Sequence, residues 1–273
     1  MRLSDHESLA EALLSSVLVA GATEMDHYKA GGAVETKADN SPVTAADREA
    51  EAILLEGLAK AAPGVPVVAE EAVSQGRIPA LSDTFFLVDP LDGTREFIHG
   101  RGEFTVNVAL IENRRPVFGI VYAPALSELY VTLGPERAAF ATVTPQRGAA
   151  TLKGCGFKDI RVRPANPDAL TAVASRSHLT PQTDAFLKRY SVAECRNAGS
   201  SLKFGLLARG EADIYPRLGT TMEWDTAAGH ALLVAAGGSV TTLDGAPLEY
   251  GKSGFRNPHF VAWAARTPIP PKN

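Results

Sequence analysis

Four consecutive apolar residues, Phe85 to Val88, run directly into Asp89-Pro90-Leu91-Asp92-Gly93-Thr94. A short unbroken apolar run of this kind reads as a strand buried in a core, and Pro90 with Gly93 forces the chain to turn as soon as the strand ends. Asp89 and Asp92 can then converge. One ionised carboxylate at the end of an apolar strand is already costly to desolvate, and several together repel unless protons or cations compensate. Any fold open to this chain has to bring that compensation to the turn.

Two further segments share the pattern. Val67-Val68-Ala69 leads into Glu70-Glu71, and Met222-Glu223-Trp224 leads into Asp225-Thr226. Each part has a plain structural alternative. Asp92-Gly93 is a common turn dipeptide, Glu70-Glu71 suits a solvated strand end, and Asp225 suits the N-cap of a helix beginning at Thr226. The acids near Thr44, Asp47 and Glu49, complement a helix dipole. The conjunction is more specific than its parts. Oxygen ligands without a Cys or His cluster favour Mg²⁺, Mn²⁺ or Ca²⁺ over zinc or copper, and Mg²⁺ binds through a few carboxylates plus substrate phosphates. Phosphate chemistry on magnesium is the leading expectation.

Composition narrows the field. The chain has 273 residues, 45% hydrophobic and 21% charged, which excludes disorder and collagen-like repeats. Its net charge of -4 gives no pull toward a nucleic acid polymer. Cys155 and Cys195 form no disulfide framework or metal spacing, which fits a reducing cytosol. Asp5, Glu7 and Glu11 stand where a secretory signal would want basic residues, and no transmembrane segment is expected. The expected place is the cytoplasm, with loose attachment to the cytoplasmic face of the inner membrane left open. No P-loop, His-Glu-x-x-His pair, dinucleotide fingerprint or Gly-x-Ser-x-Gly elbow occurs, and Asp89-x-x-Asp92 lacks the Asp-x-Asp spacing of an aspartyl nucleophile. Direct attack by an activated water is simpler.

Ser4-Asp5-His6-Glu7 reads as a capping box opening a long amphipathic helix that ends at Gly31-Gly32, and a second helix starts near Thr44 and stops before Pro63-Gly64. Short apolar runs follow at Val65 to Ala69, Thr84 to Val88, Thr105 to Glu112, Val117 to Tyr122, Leu129 to Leu133 and Ala138 to Val143, which suggests an antiparallel sheet. Beyond Gly148 the texture alternates. Strands are expected at Ala172 to Ser175, Ala212 to Tyr215, Ser239 to Leu243 and His259 to Ala264, with helices at Pro181 to Tyr190, Ser201 to Arg209 and Thr226 to Ala236. The division is into residues 1–150, carrying most metal ligands, and 151–273, an α/β part completing the site.

Asp47, Glu70-Glu71, Asp89-Pro90-Leu91-Asp92-Gly93-Thr94 and Trp224-Asp225, in that order, resemble the inositol monophosphatase superfamily of lithium-sensitive, magnesium-dependent phosphatases. Lys37 to Asp47, Gly102 to Asn107, Gly199 to Phe204, and Tyr215-Pro216-Arg217 through Gly229 are similar to its CysQ branch, the 3'(2'),5'-bisphosphate nucleotidases. The resemblance implies an α+β fold, a layered αβαβα sandwich of the inositol monophosphatase and sugar phosphatase type, with the site between its halves. It implies at least two Mg²⁺: Glu70, Asp89 and the carbonyl of Leu91 on one, Asp89, Asp92 and Asp225 on the other. Glu70 and Thr94 would orient the attacking water, and Asp47 would accept a hydrogen bond from Thr94. Amides at Gly93 and Thr94 suit phosphate oxygens if a helix starts there.

The implied substrate is a small phosphate ester, adenosine 3',5'-bisphosphate, cleaved to AMP and phosphate in a step tied to sulfate assimilation. Leu91, Asp92, Gly93, Thr94, Ser200, Ser201, Lys203, Tyr215, Arg217 and Asp225 are the substrate-side candidates, with His178 as a capping or nucleotide-facing residue. Lys203 could equally be a solvated helix residue. Arg95 and His230 depart from the Lys and Gln often seen at their positions. Inositol monophosphate or fructose 1,6-bisphosphate would use the same metal centre, a non-catalytic phosphate- or metal-binding regulator is the alternative of another class, and a homodimer stays open.

Overall fold

The computed structural model describes residues 2–31, 34–36, 42–175 and 180–272. Helix α1 (His6–Ala30) is followed by the paired strands β1 (Val34–Thr36) and β2 (Pro42–Thr44), then helix α2 (Ala45–Ala61). Asp5 caps α1 by accepting the Ser8 amide at 3.1 Å, so the cap falls on Asp5 and no box opens at Ser4. Glu7 is drawn away to Arg137. Gly31 ends α1 with a left-handed φ of 67°, a conformation that costs an L residue a clash with its own Cβ.

The first sheet has seven strands in sequence order: β3 (Val67–Ala69), β4 (Thr84–Asp92), β5 (Thr105–Glu112), β6 (Arg115–Ala123), β7 (Glu128–Gly134), β8 (Arg137–Thr142) and β9 (Lys158–Ile160). Only the β3–β4 pair is parallel. Short helices α3 (Glu70–Ser74) and α4 (Thr94–Ile98) grow from the ends of β3 and β4, and α5 (Leu152–Cys155) precedes β9. The sequence gives little sign of α3 and α4, because one helical turn has no hydrophobic period to read.

The second sheet holds β10 (Leu170–Ser175), β11 (Val192–Ala198), β12 (Ile214–Arg217), β13 (Ser239–Thr242) and β14 (Phe260–Trp263) in the order β11-β10-β12-β14-β13. Its helices are α6 (Pro181–Leu187), α7 (Leu202–Ala208) and α8 (Ala227–Ala235). Strand β12 lies two residues beyond its expected start at Ala212, and it carries Tyr215 and Arg217 on its end. Strand β11 escapes the sequence because it is an exposed edge whose Glu194, Cys195, Arg196 and Asn197 show no apolar alternation.

Period-two alternation along β4 explains the layering. Phe86 and Val88 face Leu9, Leu13 and Val17 of α1 and Leu54 of α2. Phe85 and Leu87 point the other way, into a core shared with Leu202, Phe204 and Leu207 of α7 and Leu232 and Leu233 of α8. That same core takes in Val173, Tyr215, Phe260 and Ala262 of the second sheet, whose outer face meets Phe186, Leu187 and Tyr190. The result is an αβαβα sandwich. Among the described residues, α1 alone has the length and hydropathy to cross a bilayer, but its apolar face is already buried against the first sheet.

Candidate active site

The strand–turn–helix at β4 is the centre of the site. The β4–β5 register shifts between Asp89 and Asp92, so Pro90 and Leu91 bulge out of the ladder and the strand bends where the carboxylates begin. Asp89 Oδ1 accepts the Leu91 amide at 3.0 Å, which locks the bend. Gly93 follows at φ 93°, and a Cβ there would lie 3.1 Å from the Glu103 carbonyl, so both conformation and space call for glycine. Helix α4 then starts at Thr94, as the amide argument requires.

Asp89 is 1% exposed, and its carboxyl is held well above the usual range by burial first, then by Glu70, Asp92 and Asp225. Asp225 is raised in the same way, by burial and then by Asp92 and Glu70. Asp92 is raised by burial but drawn back by Lys203 and a hydrogen bond from Ser200. Four acids from β4, α3 and the approach to α8 therefore share one electrostatic neighbourhood. Asp225 does not cap α8, since Thr226 holds the N-cap position; its Oδ2 accepts the Met222 amide at 2.9 Å.

Asp47 combines both readings open to it. Its Oδ2 accepts the Thr44 amide and the Thr44 hydroxyl, each at 2.7 Å, in a capping box at the start of α2. Its Oδ1 faces Thr94 Oγ1 at 3.5 Å, while Thr94 Oγ1 also reaches the Leu91 carbonyl at 3.3 Å.

The acids open onto a cleft of about 370 Å³, lined among others by Glu70, Asp92, Thr94, Ser200, Lys203, Tyr215, Arg217 and Asp225. Lys203 is buried, so it is no solvated helix residue. Burial lowers its ammonium to about 8, and Nζ donates to the carbonyls of Ser200 and, at 3.4 Å, Ala198. Tyr215 is buried with its ring against Phe204 and Phe260 and the Lys203 ammonium 5.3 Å from its centre. Arg217 Nη2 donates to the Thr220 carbonyl at 3.1 Å, but its buried Nε has no partner. Ser201 Oγ donates to Asn107 Oδ1 at 2.6 Å, beneath the cleft surface. His178 and the Lys37 to Ser41 part of the resemblance lie outside the described residues.

Several residues of the site are not among the site candidates of the sequence, although Glu103, Thr105, Asn107 and Glu223 lie inside segments that carry the resemblance. Thr105 Oγ1 meets the Ser200 and Ser201 hydroxyls, whose own protons go to Asp92 and Asn107, and Glu103 Oε2 accepts the Gly199 amide at 3.1 Å. Glu223, fully buried, accepts the Gly251 and Lys252 amides at 2.7 and 2.9 Å and pairs with Lys252 Nζ at 2.7 Å. Asn257 Nδ2 donates to the Met222 carbonyl at 2.7 Å and Thr226 Oγ1 at 3.0 Å, fixing both ends of the segment that carries Asp225. His230 is a buried structural residue, its Nδ1 2.9 Å from the Tyr250 hydroxyl and its pKa lowered by burial to about 3.

Among the described residues, no three His, Cys, Asp or Glu side chains close on one point as a ready-made cage. The chemistry of Asp89, Asp92, Asp225 and Glu70 still fits a hard divalent cation: every donor is oxygen, and positive charge would relieve the desolvation and repulsion that now hold Asp89 and Asp225 high.

The fold and the site define a phosphatase architecture shared with solved structures. CysQ from Bacteroides thetaiotaomicron, a bacterial member of the inositol monophosphatase family, superposes with a TM-score of 0.80 at 39% identity, covering 96% of this chain and 98% of that one. The Thermotoga maritima inositol monophosphatase gives 0.73 at 26% identity, over 92% and 90%. The Escherichia coli 3'(2'),5'-bisphosphate nucleotidase CysQ is 43% identical over 229 residues, 83% of this chain and 87% of that protein. With residues 5–267 matching the family throughout, the chain belongs to the inositol monophosphatase family. It is an enzyme of the phosphatase class, and the metal-dependence of that class agrees with the donor set.

Proposed function

We propose that this chain is a Mg²⁺-dependent 3'(2'),5'-bisphosphate nucleotidase that releases phosphate from adenosine 3',5'-bisphosphate and leaves AMP. One observation carries the reading: the acids Glu70, Asp92 and Asp225 and the cations Lys203 and Arg217 line a single cleft. The acids suit divalent cations beside the scissile phosphate. Lys203 and Arg217 suit a second phosphate that stays on the product, and the cleft volume is that of a small-molecule site. The similarity to the E. coli nucleotidase points the same way.

In this reading Glu70, Asp89 and the Leu91 carbonyl would hold one Mg²⁺, and Asp89, Asp92 and Asp225 would hold a second. Bound there, the cations neutralise phosphoryl charge, favour ionisation of water and stabilise the departing oxygen. Glu70 and Thr94 Oγ1 orient the attacking water, and Thr94 can accept from it while donating to Asp47 Oδ1. The capping box holds Asp47 for that task from the α2 side. Gly93 and Thr94 present amides to the phosphoryl oxygens. Arg217 Nε, buried and without a partner, is a donor for the retained phosphate. Free Cys155 and Cys195 suit a reducing cytoplasm.

The test compares adenosine 3',5'-bisphosphate with adenosine 3'-monophosphate in Mg²⁺. The bisphosphate should have the higher kcat/KM, and Arg217→Ala should erase most of the difference by raising KM for the bisphosphate alone. Equal use of both esters by the unsubstituted enzyme would contradict the nucleotide reading.

A further inference from the structure

Ser200 has a left-handed backbone at φ 53°, a conformation in which the Cβ of an L residue crowds the following carbonyl. It sits between Gly199, which would tolerate such a φ at no cost, and Ser201. A strained non-glycine residue persists only where its surroundings over-determine it. Here they do. The Gly199 amide is held by Glu103 Oε2, the Ser200 carbonyl takes the Lys203 ammonium, and Ser201 Oγ is bonded to Asn107. With two backbone groups and the next side chain held, the loop fixes where Ser200 Oγ points. It accepts the Ser201 amide at 2.6 Å, contacts Thr105 Oγ1, and donates to Asp92 Oδ2 at 2.7 Å.

We propose that Ser200 is a positioning residue for Asp92: the strained loop before α7 delivers its hydroxyl proton to one carboxylate oxygen, leaving the other turned toward the cation. This rests on Asp92 being a cation ligand, as proposed above, and gives Ser200 a task other than touching substrate. Ionised Asp92 accepts only, so the donor must be Ser200, and the Lys203 ammonium, donating to the Ser200 carbonyl, holds the same loop. The contact also crosses the molecule. Ser200 lies in the loop between β11 of the second sheet and α7, and Asp92 at the end of β4 in the first sheet, so the bond ties one half of the cleft to the other.

Ser200→Ala and Ser200→Gly separate the hydroxyl from the strain. Both remove the bond to Asp92, and each should weaken Mg²⁺ binding by about ten- to a hundredfold, read by titration calorimetry without substrate. Only glycine relieves the left-handed φ, so the metal-free Ser200→Gly protein should melt above Ser200→Ala by about 2 °C. Unchanged Mg²⁺ affinity in both, whether melting falls or KM for the bisphosphate rises, would overturn the proposal, because a packing role or a substrate contact alone would give that result. Equal melting of the two variants would overturn the strain. Neither readout uses turnover, whereas the nucleotidase reading stands or falls on phosphate release by the unsubstituted chain, so each can fail alone.

Discussion

Asp89 is the side chain that would ligate both proposed cations, and it is buried, with its pKa raised by burial and by three neighbouring carboxyls. Asp89→Asn keeps the shape and removes the charge, so turnover should drop by several orders of magnitude while the fold survives, measured as kcat beside a melting curve. Lys203→Ala should act on KM for the bisphosphate far more than on kcat. Glu24 of α1 is a different case. Both its oxygens are buried without a partner, and burial, followed by Asp47, holds its carboxyl well above the usual range. The folded protein keeps that proton at a pH where the unfolded chain has lost it, so raising the pH from the ordinary carboxylate range through Glu24's raised value lowers stability. Glu24→Gln should flatten that slope. Glu24→Met, which removes the unpaired acid at similar volume, should stabilise the protein by about 1–3 kcal/mol in denaturant unfolding. A steeper pH slope in Glu24→Gln would contradict this account.

The helix that follows Asp225 is placed by close backbone packing. A Cβ added at Gly119 of β6 would meet the Ala228 carbonyl of α8 at 2.3 Å, and one at Gly229 would meet the Phe204 ring at 2.4 Å. Gly119→Ala should therefore push α8 off the sheet, cost about 1–3 kcal/mol, and weaken Mg²⁺ binding because Asp225 moves with its helix. Asn257→Ala should weaken Mg²⁺ binding with a smaller loss of stability, since it frees the Met222 carbonyl and Thr226 hydroxyl but leaves α8 packed. These elements also mark where the sequence is legible. Phe85 to Val88 announces both a buried strand and the acids at its end because the two signals abut, and the long α1 and α2 announce themselves by period and cap. The site partners Thr105, Asn107, Glu223 and Asn257 do not. Thr105, Asn107 and Glu223 lie inside segments that carry the resemblance, but their roles depend, as Asn257's does, on hydrogen bonds to residues 28 to 96 positions away, which no local pattern shows. Tyr215 and Lys203 show the converse: the sequence marks them, but it cannot show that one is packed among aromatic rings and the other gives two of its three donors to carbonyls.

At the scale of the molecule, two sheets and three helical layers bury one continuous core between α7, α8 and both sheets, and the cleft lies where that middle layer meets the end of β4. Acids from the first half and Asp225 with the cations Lys203 and Arg217 from the second meet only because the sandwich is closed. Cations that bind across this seam bind the folded state alone, so Mg²⁺ should raise the melting temperature in proportion to the logarithm of its concentration above Kd, and a chelator should reverse the gain. We propose this seam as a magnesium phosphatase site shaped for a nucleoside bisphosphate. Phosphate release from adenosine 3',5'-bisphosphate, inositol 1-phosphate and fructose 1,6-bisphosphate, measured side by side with Mg²⁺ and with chelator, tests it most directly. The adenosine ester should show the largest kcat/KM, and no ester should be cleaved once Mg²⁺ is removed; preference for the inositol ester, or release that persists in chelator, would overturn the proposal.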